Sequence, residues 1–318
     1  MKVLITGSSG SLGGMLMNYL IPKGVDIVGI DIRESDIRSS SGHYSFHRCC
    51  ISDRDKLMSV FAEERPDRVV HLACSFNKVR NRSREYEIDI EGARNVLDAS
   101  VNILSVKQLI FSSSALAYGA SRENRLWINE ANPLRPGKSR YGINKKMVEE
   151  CYGCNDSRED LRIVSLRLCT VIGPSFDKPK SVASLLIKYP WLPSAFRKNC
   201  VQFIHSDDLV EIMELMLNDS GIEGIYNVAP DSYSVVEELV SGKKYRNIPV
   251  PLLKSALVVL WHLKVLNFQP AALNNAIYPI VIDPSRLVSR YGYKFRYSSD
   301  EAFADTMLNN RIPAEARI

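Results

Sequence analysis

Residues 2–20 read KVLITGSSGSLGGMLMNYL. Val3 to Thr6 is a short apolar run of the kind a strand buried on both faces requires. Leu12 to Leu20 has a helical pattern, which Pro22 and Gly24 stop. Between them lies the glycine-rich turn Thr6-Gly7-Ser8-Ser9-Gly10-Ser11-Leu12-Gly13. Gly7 permits a tight turn, Gly10 lets a phosphate approach the backbone, and Gly13 lets the helix pack closely on the sheet. The helix start, with Ser11 and Leu12, offers free N–H groups and a positive dipole end to a pyrophosphate. A second strand, Val25 to Ile30, ends at Asp31, about 20 residues beyond the turn, where an acid can bond ribose hydroxyls. Asp31 repels a 2′-phosphate, so the pattern predicts NAD rather than NADP; Arg33 alone points the other way.

Outward from this unit, strand and helix patterns alternate. Phe46 to Cys49 is a weaker strand, and Ser52 with Asp55 reads as a capping box for a helix through Glu64. Arg68 to Leu72 is a strand, Glu85 to Val101 a helix, and Lys107 to Phe111 a strand leading into Ser112, Ser113 and Ser114. Tyr141 to Cys151 is helical, and Arg162 to Leu168 a strand. This alternation predicts a parallel sheet wrapped by helices on both faces. After Gly173-Pro174, the prolines 179, 190 and 193 punctuate a loop-rich insert. Val201 to Ile204 is a strand, Asp207 to Leu217 a helix, and Tyr226 to Val228 the last sheet strand, with helices and turns from Val235 onward. The expectation is a Rossmann-type, doubly wound α/β domain over 1–174, to which 201–234 return. Residues 175–200 and 235–318 are expected to form a smaller substrate-binding lobe covering the strand ends.

With 45% hydrophobic and 24% charged residues, the chain is expected to be folded rather than disordered. A net charge of +5, from 41 basic and 36 acidic side chains, suits an anionic small molecule but does not argue for nucleic acid. Seven cysteines supply one CxxC, Cys151 and Cys154, with no second pair. They read as reduced thiols of a cytoplasmic protein, with no metal site. The N-terminus runs straight into a strand and glycines, unlike a signal peptide. The apolar stretch Leu252 to Leu266 holds Lys254, His262 and Lys264 and is too short and charged to span a bilayer. It reads as a lobe helix ahead of a surface-lying amphipathic one, so no membrane partner is expected. Lys78, Arg80, Arg82 and Arg84 read as a solvated basic loop ahead of a phosphate or carboxylate site. His205, Asp207 and Asp208 read as a helix start capped by Ser206 or Asp207 rather than as metal ligands. Trp261 and Phe268 read as lobe packing ahead of an apolar substrate pocket.

Tyr141 and Lys145 are one helical turn apart, on one face. A free tyrosine is a poor base at neutral pH, but a nearby ammonium and a positive nicotinamide ring favour the phenolate. Tyr141 could then exchange a hydroxyl proton as hydride leaves or reaches carbon, with Ser114 orienting the same oxygen.

Taken together, the motifs resemble the extended branch of the short-chain dehydrogenase/reductases, in particular its NAD-dependent epimerase/dehydratase family. The matching pieces are TGSSGSLG (6–13), Asp31, HLAC (71–74), SSSALAYG (112–119), YGINK (141–145), LRLCTVIGP (166–174), FIHSDDL (203–209), YNV (226–228) and IDPSRL (282–287). The resemblance implies a homodimer joined through the Glu85–Val101 and Tyr141–Cys151 helices, with Ile88, Val96 and Leu97 in its apolar face. It implies NAD contacts from Gly7, Gly10, Ser11, Leu12, Gly13, Asp31, Ile32, Cys50, Ile51, Leu72, Ala73, Cys74, Ser112, Tyr141 and Lys145. It also implies catalytic roles for Ser114, Tyr141 and Lys145. Cys50 stands where the family usually has an adenine-contacting Asp, Asp89 where it often has Asn, and Thr170 where nucleotide-sugar epimerases have Asn. Val201 and Gln202 replace their phosphate-binding Arg and the following Asp. Ala115 and Leu116 stand where 4,6-dehydratases have an Asp-Glu pair. These departures leave a sugar epimerase, a net dehydrogenase or reductase of a non-nucleotide alcohol or ketone, and a non-catalytic NAD sensor as the three readings. The intact Ser-Tyr-Lys set counts against the sensor.

Overall fold

The computed structural model describes residues 1–34, 42–75, 81–154, 158–174, 186, 191–265 and 270–311. Lys78, Arg80, Phe268, Pro179 and Pro190 lie outside these. The chain forms two compact units. The first comprises Met1–Ser113, Asn144–Arg167 and Val210–Tyr226; the second comprises Ser114–Ile143, Leu168–Leu209 and Asn227–Ile318.

The apolar runs become the strands β1 (Lys2–Thr6), β2 (Asp26–Asp31), β3 (Tyr44–Arg48), β4 (Arg68–His71), β5 (Gln108–Ser114) and β6 (Arg162–Leu168). Smaller strands follow: β7 (Thr170–Ile172), β8 (Trp191–Pro193), β9 (Cys200–Val201), β10 (Phe203–His205) and β11 (Gly224–Val228). Seven of the strands make one sheet in the order β11-β6-β5-β4-β1-β2-β3. β1 pairs in parallel with β2 on one side and β4 on the other. The winding therefore reverses between β1 and β4, and it is beyond the carboxyl ends of such a pair of strands that open α/β sheets bind ligands. Every residue of β5 is buried, as a sheet covered on both faces requires.

Helices α1 (Ser11–Leu20), α2 (Arg54–Glu64), α3 (Arg82–Tyr86), α4 (Gly92–Asn102) and α5 (Arg140–Gly153) follow the expected order. Three details differ from the sequence reading. α2 is capped by Asp53, whose carboxylate accepts from Lys56 N, rather than by the Ser52 box; the Ser52 hydroxyl lies 3.1 Å from Cys50 Sγ instead. The long helix from Glu85 is broken by a π-turn over Glu87–Glu91, between α3 and α4. Val96 and Leu97, expected to face a second subunit, are 0% and 7% exposed and belong to the first unit's own core with Leu57, Phe61, Phe111 and Tyr152. In that core the Tyr152 hydroxyl donates to Ala93 O at 3.0 Å, which satisfies its one polar group.

The same unit holds a buried ion pair. Glu149 on α5 accepts from Arg167 Nε at 3.1 and 3.2 Å, and the Arg167 terminal nitrogen completes a fork. Ser113 Oγ donates to the same carboxylate at 2.8 Å. The charged side chains are 4% and 5% exposed, so α5 is tied to β5 and β6 through groups that water cannot satisfy.

The second unit has its own core around Ile172, Leu192, Phe203, Leu273 and Phe303. The strand expected over 201–204 is divided at Gln202: β9 pairs with Ser234–Val235, and β10 pairs in parallel with β7. The segment beyond Val235, expected to lack strands, contributes Lys244–Arg246, which pairs with β8. Asn227 is the polar hub. It receives the Tyr118 hydroxyl at 2.9 Å and donates to the carbonyls of Ile128 and Asp283 at 2.8 and 3.1 Å. Three of the quoted motifs, AYG, YNV and IDPSRL, thus meet at one amide.

Removing one partner of a buried ion pair strands the other. Arg167→Met is expected to lower unfolding free energy by about 3–5 kcal/mol in urea titrations. Arg167→Met with Glu149→Leu should recover much of that loss; equal losses in the single and double variants would refute the pairing.

Candidate active site

The glycine turn sits at the winding reversal. Gly7 has φ +75°, and a Cβ there would lie 2.7 Å from Ala73 N; a Cβ on Gly13 would lie 2.3 Å from Gly7 O. The turn is therefore pressed against the end of β4 and its own helix, and Leu72 and Ala73 run beside it. Ser8 and Gly7 N–H groups both reach Ile30 O, which holds the turn to β2. α1 begins after Gly10 with no side-chain cap and no acid in its first turn. Its first N–H groups and positive dipole end are thus left for an anion.

Asp31 stands next to this turn. Its two carboxylate oxygens accept from Ser9 N and Arg33 N, each at 3.1 Å. A carboxylate has about four acceptor positions, so this anchoring orients the group and leaves capacity for a diol. Ile32 is 57% exposed, whereas Ile51 is 4% exposed. Gly92 makes room for Ile51, since a Cβ there would lie 2.6 Å from Ile51 Cγ1. Arg84 pairs with Glu87 and approaches Cys50 Sγ at 4.0 Å. Arg82 and Arg84 are both exposed, in keeping with a solvated basic stretch.

Ser112 and Ser114 lie on β5, and Tyr141 and Lys145 lie one turn apart on α5. Lys145 is 5% exposed; its ammonium donates to Ser112 O and lies 4.7 Å from the Phe111 ring centre. Ser114 Oγ accepts from Leu116 N at 3.2 Å, closing the turn after β5. The start of α5 is held against that same turn. A Cβ on Gly142 would lie 2.5 Å from Leu116 O, and Ser139 Oγ accepts from Gly142 N at 3.2 Å. Gly142 is therefore what lets the residue beside Tyr141 approach the turn that follows Ser114.

Asp89, in the π-turn, is 7% exposed. Its carboxylate accepts from Ser75 N at 2.7 Å, Ser75 Oγ at 3.0 Å and Asn144 Nδ2 at 2.9 Å. All three partners donate, which suits an acceptor-only carboxylate better than an amide. Asn144, Glu149 and Arg167 were not among the residues singled out from sequence. Asn144 lies inside YGINK, and Glu149 repeats the Tyr141–Lys145 interval once more, so the polar face of α5 was the available signal. His205 Nδ1 accepts from Asp207 N at 3.2 Å; it takes the capping place expected of Ser206 or Asp207. Among the described residues no group of His, Cys, Asp and Glu is arranged to hold a metal.

The model of the NAD dependent epimerase/dehydratase family matches residues 3–229. The chain belongs to that family, within the extended short-chain dehydrogenase/reductases, and the family is one of NAD-dependent enzymes. A UDP-glucose 4-epimerase of Lactobacillus helveticus is 30% identical over 181 residues, covering 56% of this chain and 54% of that protein. The chain thus spans about half the length of that curated relative. Two solved structures share the fold. The Bordetella bronchiseptica enzyme WbmG in complex with NAD has a TM-score of 0.76 and 22% identity, covering 98% of this chain and 94% of that one. The UDP-glucose 4-epimerase of Thermotoga maritima with UDP-glucose has a TM-score of 0.77 and 20% identity, covering 98% and 99%.

Within this family the chain's departures have structural counterparts. Val201 is 8% exposed and part of the second unit's core. The Gln202 amide donates to Pro230 O at 2.8 Å and Ile282 O at 3.1 Å, and accepts from Ile282 N at 2.9 Å. Both side chains are consumed by the fold.

His71 closes β4 at 2% exposure, with Nδ1 2.7 Å from Thr6 Oγ1 and its ring stacked on Phe111. Burial, and then the Lys145 charge, push its pKa down from 6.5 to about 3. The unfolded chain therefore takes up the proton first as pH falls. Stability from this group is complete above the unfolded pKa and drains away between 6.5 and about 3. Melting temperatures measured between about pH 7 and 5 should fall less steeply for His71→Gln than for the natural chain; parallel slopes would contradict the buried, neutral imidazole.

Proposed function

We propose that this chain is an NAD-dependent oxidoreductase or epimerase acting on a hydroxyl-bearing carbon of a sugar or sugar-like substrate. Its catalytic residues would be Ser114, Tyr141 and Lys145. The observation that carries the reading is the placement of Tyr141 and Lys145 one turn apart on α5, with Gly142 packed on the turn after Ser114.

The uncapped start of α1 and the close backbone at Gly7, Gly10 and Gly13 fit a pyrophosphate. Ser11 and Leu12 supply N–H groups there. Asp31 and Ile32 would meet the adenosine ribose, and Cys50 and Ile51 the adenine. Leu72, Ala73, Cys74 and Ser112 would line the path toward the nicotinamide, and Lys145 would bond its ribose. NAD, when bound, supplies reversible hydride acceptance. Tyr141 takes the substrate hydroxyl proton at Oη and returns it. Lys145, fixed by Ser112 O and Phe111, presents a positive charge to the same helix face and favours the phenolate. Ser114 orients the reacting oxygen.

A second reading, net dehydrogenation or reduction of a non-nucleotide substrate, is favoured by Val201 and Gln202. With one in the core and the other hydrogen-bonded to backbone, neither position offers a charge to a nucleotide phosphate. A homodimer follows from family membership by analogy. Since Val96 and Leu97 are internal, the half-buried Ile88 is what remains of the expected apolar face.

Asp31→Ala is expected to weaken NAD binding and to relax discrimination against NADP in paired calorimetric titrations; unchanged affinities for both would remove Asp31 from the site. Tyr141→Phe should lose turnover by more than about a hundredfold while keeping NAD affinity, because only the proton-exchanging group is gone. Lys145→Ala should lose both. The assay takes a substrate found by screening sugars, nucleotide sugars and hydroxy acids. Wild-type turnover by Tyr141→Phe on it would overturn the mechanism.

A further inference from the structure

β3 is the edge strand of the large sheet on the β2 side. Its parallel register sets His47 against Ile30 and Arg48 against Asp31, and Cys49 N donates to Asp31 O at 3.0 Å just beyond. Residues opposed in neighbouring strands share a face of the sheet. The Arg48 side chain therefore leaves β3 on the same side as the Asp31 carboxylate. There its Nε donates to Ile32 O at 3.1 Å. This bond joins the edge strand to the first residue past β2, and it anchors one edge of the guanidinium beside the carboxylate assigned to the ribose. Arg48 is exposed, and among the described residues its side chain has no other hydrogen bond and no ion pair. Other exposed arginines of the chain behave differently: Arg54, Arg84, Arg94, Arg162 and Arg197 each pair with an acid. Asp31, the acid opposite Arg48, is instead held by Ser9 N and Arg33 N.

Chemistry selects what such a group would meet. With Asp31 on the ribose diol, the next part of the cofactor along the strand ends is the purine, a flat and neutral ring with an electron-rich face. A guanidinium is planar, weakly hydrated and always charged, and it lies readily on aromatic faces. Anchoring at Nε fixes the plane in advance, so less side-chain freedom is lost when the ring arrives. We propose that Arg48 is a binding residue for the adenosine half of NAD, its guanidinium lying flat against the purine while Asp31 takes the ribose. This inference rests on the cofactor reading above and adds to it a contact from β3.

The test is calorimetric titration of the full chain with NAD and with ADP-ribose, which keeps the adenosine end and lacks the nicotinamide. Arg48→Ala should bind both more than about fivefold more weakly, and by the same factor, because the lost contact is at the end the two ligands share. Arg48→Lys should lose nearly as much, since it keeps the charge but not the plane. Unliganded melting temperatures, expected to stay close to that of the natural chain because Arg48 is exposed, check that both variants fold. A natural chain that binds neither ligand would overturn the cofactor reading and this inference with it. A natural chain that binds NAD, with an Arg48→Ala variant that binds it equally well, would overturn this inference alone. So would a loss confined to NAD, which would move the contact away from the purine end. Natural affinity in Arg48→Lys would assign the contact to charge and equally overturn it.

Discussion

Three backbones converge at Gly7. The turn out of β1 passes so close to Ala73 that a Cβ would lie 2.7 Å from its nitrogen, and the first turn of α1 passes so close to Gly7 O that Gly13 can have no side chain. Because β1 and β4 are the strands between which the winding reverses, this compression sits where sheets of this kind bind ligands. The start of α1 there has no side-chain cap and no acid in its first turn. Asp31, held by Ser9 N and Arg33 N, belongs to the same assembly. Positive helix end and negative carboxylate are the two poles a phosphate–ribose pair matches.

A second constraint is the seat of α5, the helix that carries the proposed Tyr141 and Lys145. Glu149 is one turn beyond Lys145, and its buried pairing with Arg167 and Ser113 fixes how that part of the helix lies on β5 and β6. Asn144, beside Lys145, is held by Asp89. Gly142 and Ser139 fix the helix start against the turn after Ser114. The polar side of α5 thus has a support at each turn, the pre-organisation that the proposed roles of Tyr141 and Lys145 would require.

Legibility in the sequence followed the range of the interactions. The strand–turn–helix at the start, Asp31 and the Tyr141–Lys145 interval are local patterns and read directly. The helix-wrapped parallel sheet was legible because the apolar runs alternate with helical ones, whereas the strand order came only with the structure. The π-turn was not legible: Asp89 is drawn inward by Ser75 and Asn144, partners far away in the chain, and helical periodicity cannot register that. Val96 and Leu97 have the apolar character of an interface and of a core alike, and only packing against Leu57 and Phe61 separates the two. The Asp53 cap displaced Ser52 by one residue, within what competing short polar side chains at a helix start leave open. Gln202 and Val201 looked like missing ligand contacts; the structure shows what each does instead.

The central claim, that the glycine turn holds the pyrophosphate of NAD, is tested most directly at Gly10. Its φ of −81° suits any residue, and an added Cβ would meet only Gly7 O, at 3.1 Å. Gly10→Ala should therefore fold, yet it places a methyl group where the phosphate must approach. NAD titration by calorimetry, with unliganded melting temperature as the folding control, should show a nearly natural melting temperature and more than about a tenfold loss of NAD affinity. A folded Gly10→Ala chain that binds NAD as tightly as the natural one would contradict the account.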